Sequence, residues 1–217
     1  MKLYIVNGSP NCRKVQALIK QLGLDVEIEA LGFLDGDLQT KEFLAINPNG
    51  MVPALVDGDF RLWESNAIMQ YLADKKQGNG VYPNDSASRA NINRWLTWEQ
   101  AHFNKAAGGI LFEQFLKPNL MQQDSDPDKV AEHTSNFHRY AAVLNNHLAS
   151  RQFITGDYLT LADFALASIV AFSGVVDIPL AEYPHISAWY QRVNQIPAWQ
   201  QTAPPAAEAL GKRAVNS

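Results

Sequence analysis

Leu3-Tyr4-Ile5-Val6-Asn7-Gly8-Ser9-Pro10-Asn11-Cys12-Arg13-Lys14-Val15 is the stretch that decides the fold. Leu3 to Val6 is a short apolar run typical of a buried strand, and Gly8-Ser9-Pro10-Asn11 supplies turn and helix-start chemistry. From there Cys12, Val15, Leu18, Ile19 and Leu22 recur at helical spacing, Arg13, Lys14 and Lys20 fall elsewhere, and Gly23 provides a stop. Val26 to Ala30 then alternates with period two. A strand, a full helix and a second strand form a right-handed parallel crossover, so the chain opens with a βαβ unit.

Working outward, a loop with Gly32, Asp35, Gly36 and Asp37 precedes a short helix around Lys41 to Ala45, which Asn47-Pro48-Asn49-Gly50 ends. Val52 to Val56 and Phe60 to Trp63 flank Asp57-Gly58-Asp59, a connection suited to an antiparallel hairpin. A helix follows with Ala67, Ile68, Tyr71 and Leu72 on one face. The order βαβαββα over residues 1–81 implies a four-stranded mixed sheet with helices packed on it.

Beyond Gly78-Asn79-Gly80 the pattern changes. Ile92, Trp95, Leu96 and Phe103, then Val130, Thr134, Phe137, Ala141, Leu144 and Leu148, keep helical spacing. Asp126-Pro127 and Tyr183-Pro184 read as helix starts, and Thr160-Leu161-Ala162-Asp163 has capping-box spacing before the apolar run Phe164 to Phe172. The expected fold class is therefore α/β plus all-α, with a second, helical domain over residues 88–206. The tail after Pro204-Pro205 has no clear period.

Composition agrees with two compact domains: 217 residues, 47% hydrophobic and 18% charged. No apolar run approaches the length of a membrane-spanning helix, and the N-terminus leads straight into a strand pattern, so neither export nor membrane insertion is expected. With 18 basic against 22 acidic residues, a net charge of -4 and no Lys/Arg run, nucleic acid is not an expected partner. The lone cysteine, Cys12, forms no internal disulfide and fits a reducing, cytoplasmic setting. No phosphate-binding loop and no G-x-G-x-x-G occurs, and His133 and His138 are five residues apart, on different helix faces, so no metal is expected.

Chemistry concentrates where strands hand over to helices. At Ser9 to Cys12, exposed N–H groups and the helix dipole favour an anion such as a thiolate. Ser9-x-x-Cys12 has the spacing of a redox Cys-x-x-Cys pair with serine in place of the attacking cysteine, so an internal dithiol cycle is impossible. A serine hydroxyl there caps the helix or donates to the sulfur of a bound thiol. Asn11 serves equally as cap or ligand contact, and Cys12, on the apolar face, reads as a core thiol and not a nucleophile. Val52-Pro53 opens a strand: a trans proline merely punctuates it, whereas a cis bond would turn the Val52 backbone toward an extended peptide. Trp63-Glu64-Ser65-Asn66-Ala67-Ile68 is either a second capped helix or a carboxylate site, with Glu64 beside it to accept from an amine. Trp95, Trp98, His102, Phe103 and Phe112 on one long helix read as core or interface, or as the lining of a pocket.

Together these segments resemble the glutathione transferase family. The resemblance rests on Ser9 to Val15, on Phe43 to Leu55 and on Leu62 to Ile68 in the first domain, and on Ile154 to Asp163 in the second. It implies a thioredoxin-like domain that binds glutathione and an all-α domain that shapes a second-substrate pocket, with His102 and Phe103 as candidates for its lining, usually in a homodimer. By the same resemblance Ser9 activates the glutathione thiol, Tyr4 lies too early to be a catalytic tyrosine, Val52 pairs with the cysteinyl backbone, and Pro53 is the family's cis proline. Glu64 and Ser65 would hold the γ-glutamyl end, and Lys41 the glycine carboxylate. Met51 departs from the polar or basic side chain that many relatives carry at this point. The expected activity is attack of a glutathione thiolate on a small electrophile. Glutathione-dependent disulfide reduction, suggested by Asn11 beside Ser9, and non-catalytic ligand binding are the alternatives.

Overall fold

The computed structural model describes residues 1–76 and 78–203. The chain divides into two units, Met1–Asn79 joined by the described residues from Pro197 onward, and Gly80–Ile196. The first unit holds strands β1 (Lys2–Ile5), β2 (Glu27–Ala30), β3 (Ala54–Asp57) and β4 (Phe60–Trp63) in the order β2-β1-β3-β4. β1 runs parallel to β2, with Leu3 opposite Ile28, and antiparallel to β3, with Leu3 opposite Leu55. β3 and β4 form the expected hairpin, Leu55 facing Leu62, and Gly58 takes the left-handed φ of 59° that its tight turn requires.

Three helices accompany the sheet: α1 (Pro10–Leu22), α2 (Lys41–Leu44) and α3 (Ser65–Lys75). Alternation along β1 sends Tyr4 and Val6 to the face where Leu31, Phe43 and Ala54 pack. The fully buried Leu3 and Ile5 are thereby left for the opposite face, toward the paired helices α1 and α3. Thr40 caps α2, its Oγ1 accepting from Phe43 N at 3.3 Å. The sheet order makes β2 an edge strand, and this defeats the alternation read from its sequence: Ile28 is 42% exposed. Lys2 on β1 binds both Glu27 and Glu29 there, and such charges blunt an open edge.

The second unit is helical, and its first helix departs from a regular one. α4 (Ser86–Trp98) runs through a π-helical segment, Glu99–Phe103, into α5 (Asn104–Leu111), then through a second, Phe112–Leu116, into α6 (Lys117–Leu120). Each widening shifts the face that the following turn presents. α7 (Pro127–Leu148) begins at the anticipated Asp126-Pro127, with Asp126 Oδ1 accepting from Asp128 N at 3.1 Å and Lys129 N at 3.3 Å. α8 (Leu161–Val170) is buried at every position and carries the anticipated capping box of Thr160 and Asp163. α9 (Pro184–Val193) starts at Tyr183-Pro184.

The boundary expected at residue 206 moves. α10 (Pro197–Gln200) and the residues that follow it, through Ala203, belong to the first unit and not to the helical one. The physical link is Trp199: the Arg13 guanidinium lies 3.9 Å from its ring centroid, and Arg13 Nη2 donates to the Trp199 carbonyl at 3.4 Å. This contact corrects the amphipathic reading of α1, because Arg13 is buried, as is Lys14. The unpatterned tail after Pro204-Pro205 and the last residues of the 88–206 span lie outside the described residues.

Candidate functional site

The site is built where β1 ends. Gly8 takes φ 84°, a value glycine adopts without strain, and turns the chain so that Ser9 arrives extended, at φ -68° and ψ 124°, as the N-cap of α1. Ser9 N donates to Val6 O at 3.1 Å, and its Oγ accepts from Cys12 N at 3.4 Å. Pro10 at the first helical position removes a donor that would otherwise lack an intrahelical partner. The hydroxyl oxygen thus serves the helix through a lone pair, while its own hydrogen rotates to suit a neighbour.

Cys12 lies one turn in and is fully buried. Burial pushes its thiol up to about 11, and hydrogen bonding from Ser9, a Val6 backbone contact and the charge of Lys14 offset this only in part. It stays a neutral thiol at physiological pH and is no nucleophile.

A second helix start converges on the first. Ser65 opens α3, is 5% exposed, and its hydroxyl donates to Asn11 Oδ1 at 3.5 Å. Glu64, exposed just before it, holds φ 72° and ψ 109°, a left-handed conformation that costs a non-glycine residue about 1–3 kcal/mol. Such strain persists where the surrounding structure fixes the backbone, and functional sites are the common setting.

The Val52–Pro53 peptide bond is cis. Val52 lies just outside the β1–β3 ladder, which begins at Ala54. The turn leading into it is organised by Asn47, a residue that the sequence reading used only as a stop signal. Asn47 is buried, its Nδ2 donates to Met51 O at 2.6 Å, and its Oδ1 accepts from Asn49 N at 3.1 Å. The Asn-Pro-Asn-Gly run was the available signal, since asparagine side chains bond to nearby backbone. Met51 is 66% exposed, and Lys41, at the start of α2, is also exposed.

In the second unit His102 and Phe103 separate. His102 is half-buried and stacks on Tyr140 at 5.1 Å between ring centroids. Phe103 is fully buried, stacked on Trp98 at 5.7 Å and tilted against Phe137 at 5.4 Å. As a wholly enclosed core ring Phe103 lines no open pocket, which corrects its reading as a substrate contact. Among the described residues no group of three or more His, Cys, Asp or Glu is placed to hold a metal, and no helix is long and apolar enough to cross a membrane.

The family model for the N-terminal domain of glutathione S-transferases matches residues 1–74, and the one for the C-terminal domain matches residues 109–197. The chain is 35% identical to Glutathione S-transferase 3 of Zea mays over 207 residues, covering 93% of this chain and 92% of that one. A theta class glutathione S-transferase from the citrus canker pathogen Xanthomonas axonopodis pv. citri, solved with glutathione bound, superposes with a TM-score of 0.85 at 28% identity, covering 95% and 98% of the two chains. Glutathione S-transferase I from mais, solved with an atrazine glutathione conjugate, gives a TM-score of 0.84 at 29% identity, covering 93% and 95%. Two family models matched in order, relatives aligned along nearly the whole chain and a shared mixed sheet with a helical second unit lead to one conclusion: the chain belongs to the glutathione S-transferase family.

Proposed function

We propose that the protein conjugates glutathione to small electrophiles, with Ser9 as the group that stabilises the thiolate. The observation that carries this reading is the placement of the Ser9 hydroxyl at the first turn of α1, its oxygen engaged by Cys12 N and its hydrogen able to turn toward a bound sulfur. Glutathione lies along Val52, its γ-glutamyl carboxylate at the α3 N-terminus by Ser65, its amine near Glu64 and its glycine carboxylate toward Lys41. Asn11, tied to Ser65, stands beside the sulfur. The exposed Met51 contributes no charge at the glycine end.

The chemistry asked of the site is modest. Lowering a thiol pKa from about 9 to about 6.5 raises the thiolate fraction at neutral pH by nearly two orders of magnitude, and roughly one order is lost because a less basic sulfur attacks more slowly. Positioning supplies the remainder. The thiol proton leaves to solvent before attack, and the sulfur then forms its bond to the electrophilic carbon as the carbon–halogen bond of a halogenated acceptor breaks and the halide leaves with the bonding pair.

The same reading places the enzyme in a reducing cytoplasm, supported by a lone buried cysteine, and as a homodimer, supported by the exposed apolar side chains Met51, Phe60 and Trp63. The test is turnover of a halogenated electrophile against a small mixed disulfide of glutathione, in the parent and in Ser9→Ala. Faster use of the electrophile, reduced about tenfold or more by the substitution, is expected. Preference for the disulfide favours the oxidoreductase alternative, and an unchanged rate removes Ser9 from the mechanism.

A further inference from the structure

Ser9 and Arg13 stand four residues apart at the start of α1, so their side chains share one face of the helix, and Ser9 O accepts from Arg13 N at 3.0 Å. A long helical side chain leans back toward the N-terminus, which carries the Arg13 guanidinium over the turn that begins at Ser9. Both residues line one cleft of about 140 Å³, and no acidic side chain is among its described lining residues. Arg13 is only 7% exposed, although a long cationic side chain ordinarily keeps its head in water. Trp199 of α10 is what holds it. The guanidinium lies 3.9 Å from the Trp199 ring centroid, and Nη2 donates to the Trp199 carbonyl at 3.4 Å. Thr202 Oγ1 donates to that same carbonyl at 3.0 Å, and the Trp199 side chain is fully buried, so ring and acceptor are both fixed.

Resting on the transferase reading, we propose that Arg13 supplies a fixed positive field at the thiolate and that Trp199 is the positioning residue that aims it. The other charges near the start of α1 are worse placed. Lys14, five residues on from Ser9, falls on a different face of the helix. Lys20 is exposed and about 16 Å along the axis from Ser9, beyond the roughly 8 Å over which salt at physiological strength leaves a surface charge effective. Cys12 is neutral, and Pro197–Gln200 carries no titratable side chain. On α3, Tyr71 is about 9 Å along the axis from Ser65, and Asp74 and Lys75 lie farther still. Glu64, just before α3, is the one opposing charge at that helix start, and it is exposed. A unit charge on the order of 10 Å from the sulfur, at an effective dielectric of about 20 to 40, lowers a thiol pKa by about one unit. The Ser9 hydroxyl and the helix start then supply the larger remainder of the shift from about 9 to about 6.5.

The experiment is the ultraviolet titration of saturating bound glutathione in the parent, Arg13→Gln, Arg13→Lys, Trp199→Leu and Trp199→Phe. Arg13→Gln should raise the bound thiol pKa by about one unit, and Trp199→Leu by about half of that. Arg13→Lys keeps the charge and Trp199→Phe the ring face, so each should stay nearer the parent than its counterpart. Turnover of a chloronitrobenzene, in which the sulfur bonds to the ring carbon and chloride leaves with the bonding pair, should cross over with pH. Arg13→Gln should run about threefold slower than the parent at about pH 6 and about twofold faster at about pH 8, because a more basic sulfur is less ionised but more nucleophilic. A purely structural role lowers the rate at every pH and leaves the thiol pKa in place. Should Arg13→Gln fail to fold, Gln201→Glu sets a carboxylate against the guanidinium from the exposed wall of the same cleft and should raise the thiol pKa, whereas Gln201→Lys should not. A parent thiol near about 6.5 that is unmoved by Arg13→Gln, or by Gln201→Glu in its place, overturns the role of Arg13 and leaves the transferase reading intact. A shift with Arg13→Gln that Trp199→Leu does not share in any part overturns the role of Trp199. A parent thiol that ionises near about 9 overturns the Ser9 reading and this inference together.

Discussion

The Ser65 hydroxyl donates to Asn11 Oδ1 at 3.5 Å, so the first turns of α1 and α3 meet through side chains 54 positions apart in sequence. The residue proposed to anchor the γ-glutamyl end is thereby in contact with the neighbour of the residue proposed to hold the thiolate. Ser65→Ala should weaken glutathione binding by about tenfold, the scale of one hydrogen bond to a charged group. Asn11→Ala combined with Ser65→Ala should be non-additive by about 0.5 kcal/mol or more. Calorimetric titration across the four proteins checks this, and strict additivity would show that the two helix starts act independently.

Glu64 sets stability against binding. Glu64→Gly removes a side chain from a left-handed conformation, with a relief of about 1–3 kcal/mol partly offset by the greater freedom of glycine in the unfolded chain. A net gain of about 1 kcal/mol in unfolding free energy, accompanied by weaker glutathione binding, is expected. Denaturant unfolding and calorimetry on the same variant measure both, and a loss of stability would mean that the backbone there is not strained.

Cys12 should be dispensable for chemistry. Its thiol is buried and held near 11, so Cys12→Ala should keep turnover within about twofold while destabilising the fold by about 1–2 kcal/mol through the small cavity it leaves. Native protein should also react slowly with iodoacetamide. Loss of activity in a variant that remains folded would reopen the case for a cysteine nucleophile.

In the helical unit, a Cβ added at Gly109 on α5 would meet the His133 ring of α7 at 2.4 Å, whereas one at Gly108 would meet only the end of the Asn104 side chain, at 3.2 Å. Gly109→Ala should therefore destabilise by about 1–3 kcal/mol, and Gly108→Ala should be neutral or gain up to about 1 kcal/mol from helix propensity. Thermal unfolding of the pair separates a packing constraint from a propensity effect.

Asp163 gives a pH signature. Its Oδ1 accepts from Ile154 N at 2.8 Å and Trp189 Nε1 at 2.9 Å, and its Oδ2 from Thr160 N at 2.8 Å, yet complete burial raises its carboxyl to about 6. Because the folded value lies above the unfolded one, its contribution to stability is full below about pH 4 and declines as the pH rises through about 6, by on the order of 2–3 kcal/mol. His147, whose Nε2 bonds to Ile154 O, is lowered mainly by burial and acts with the opposite sign: its contribution is full above the unfolded value near 6.5 and declines as the pH falls. Urea midpoints of the parent and Asp163→Asn between pH 4.5 and 7 isolate the carboxyl, and identical slopes would contradict its shift.

Local signals made much of this molecule legible. Ser9-Pro10, Asp126-Pro127 and Thr160 through Asp163 are caps that a helix start needs whatever surrounds it, and each begins a helix. The rest depends on what the distant chain supplies. Ile28 alternates correctly in sequence, but only the strand order reveals that it sits on an open edge. Arg13 reads as a solvated charge until Trp199, 186 residues later, covers it. Phe103 has the spacing of either a pocket wall or a core ring, and its stacking between Trp98 and Phe137 decides for the core. The two π-helical segments carry no proline or glycine signature within them to announce them.

The most direct measurement is the ultraviolet thiolate titration of glutathione bound to the parent and to Ser9→Ala. The bound thiol should ionise near pH 6.5 in the parent and return toward about 9 without the Ser9 hydroxyl. Superimposable curves for the two proteins, at saturating glutathione, would contradict the role assigned to Ser9.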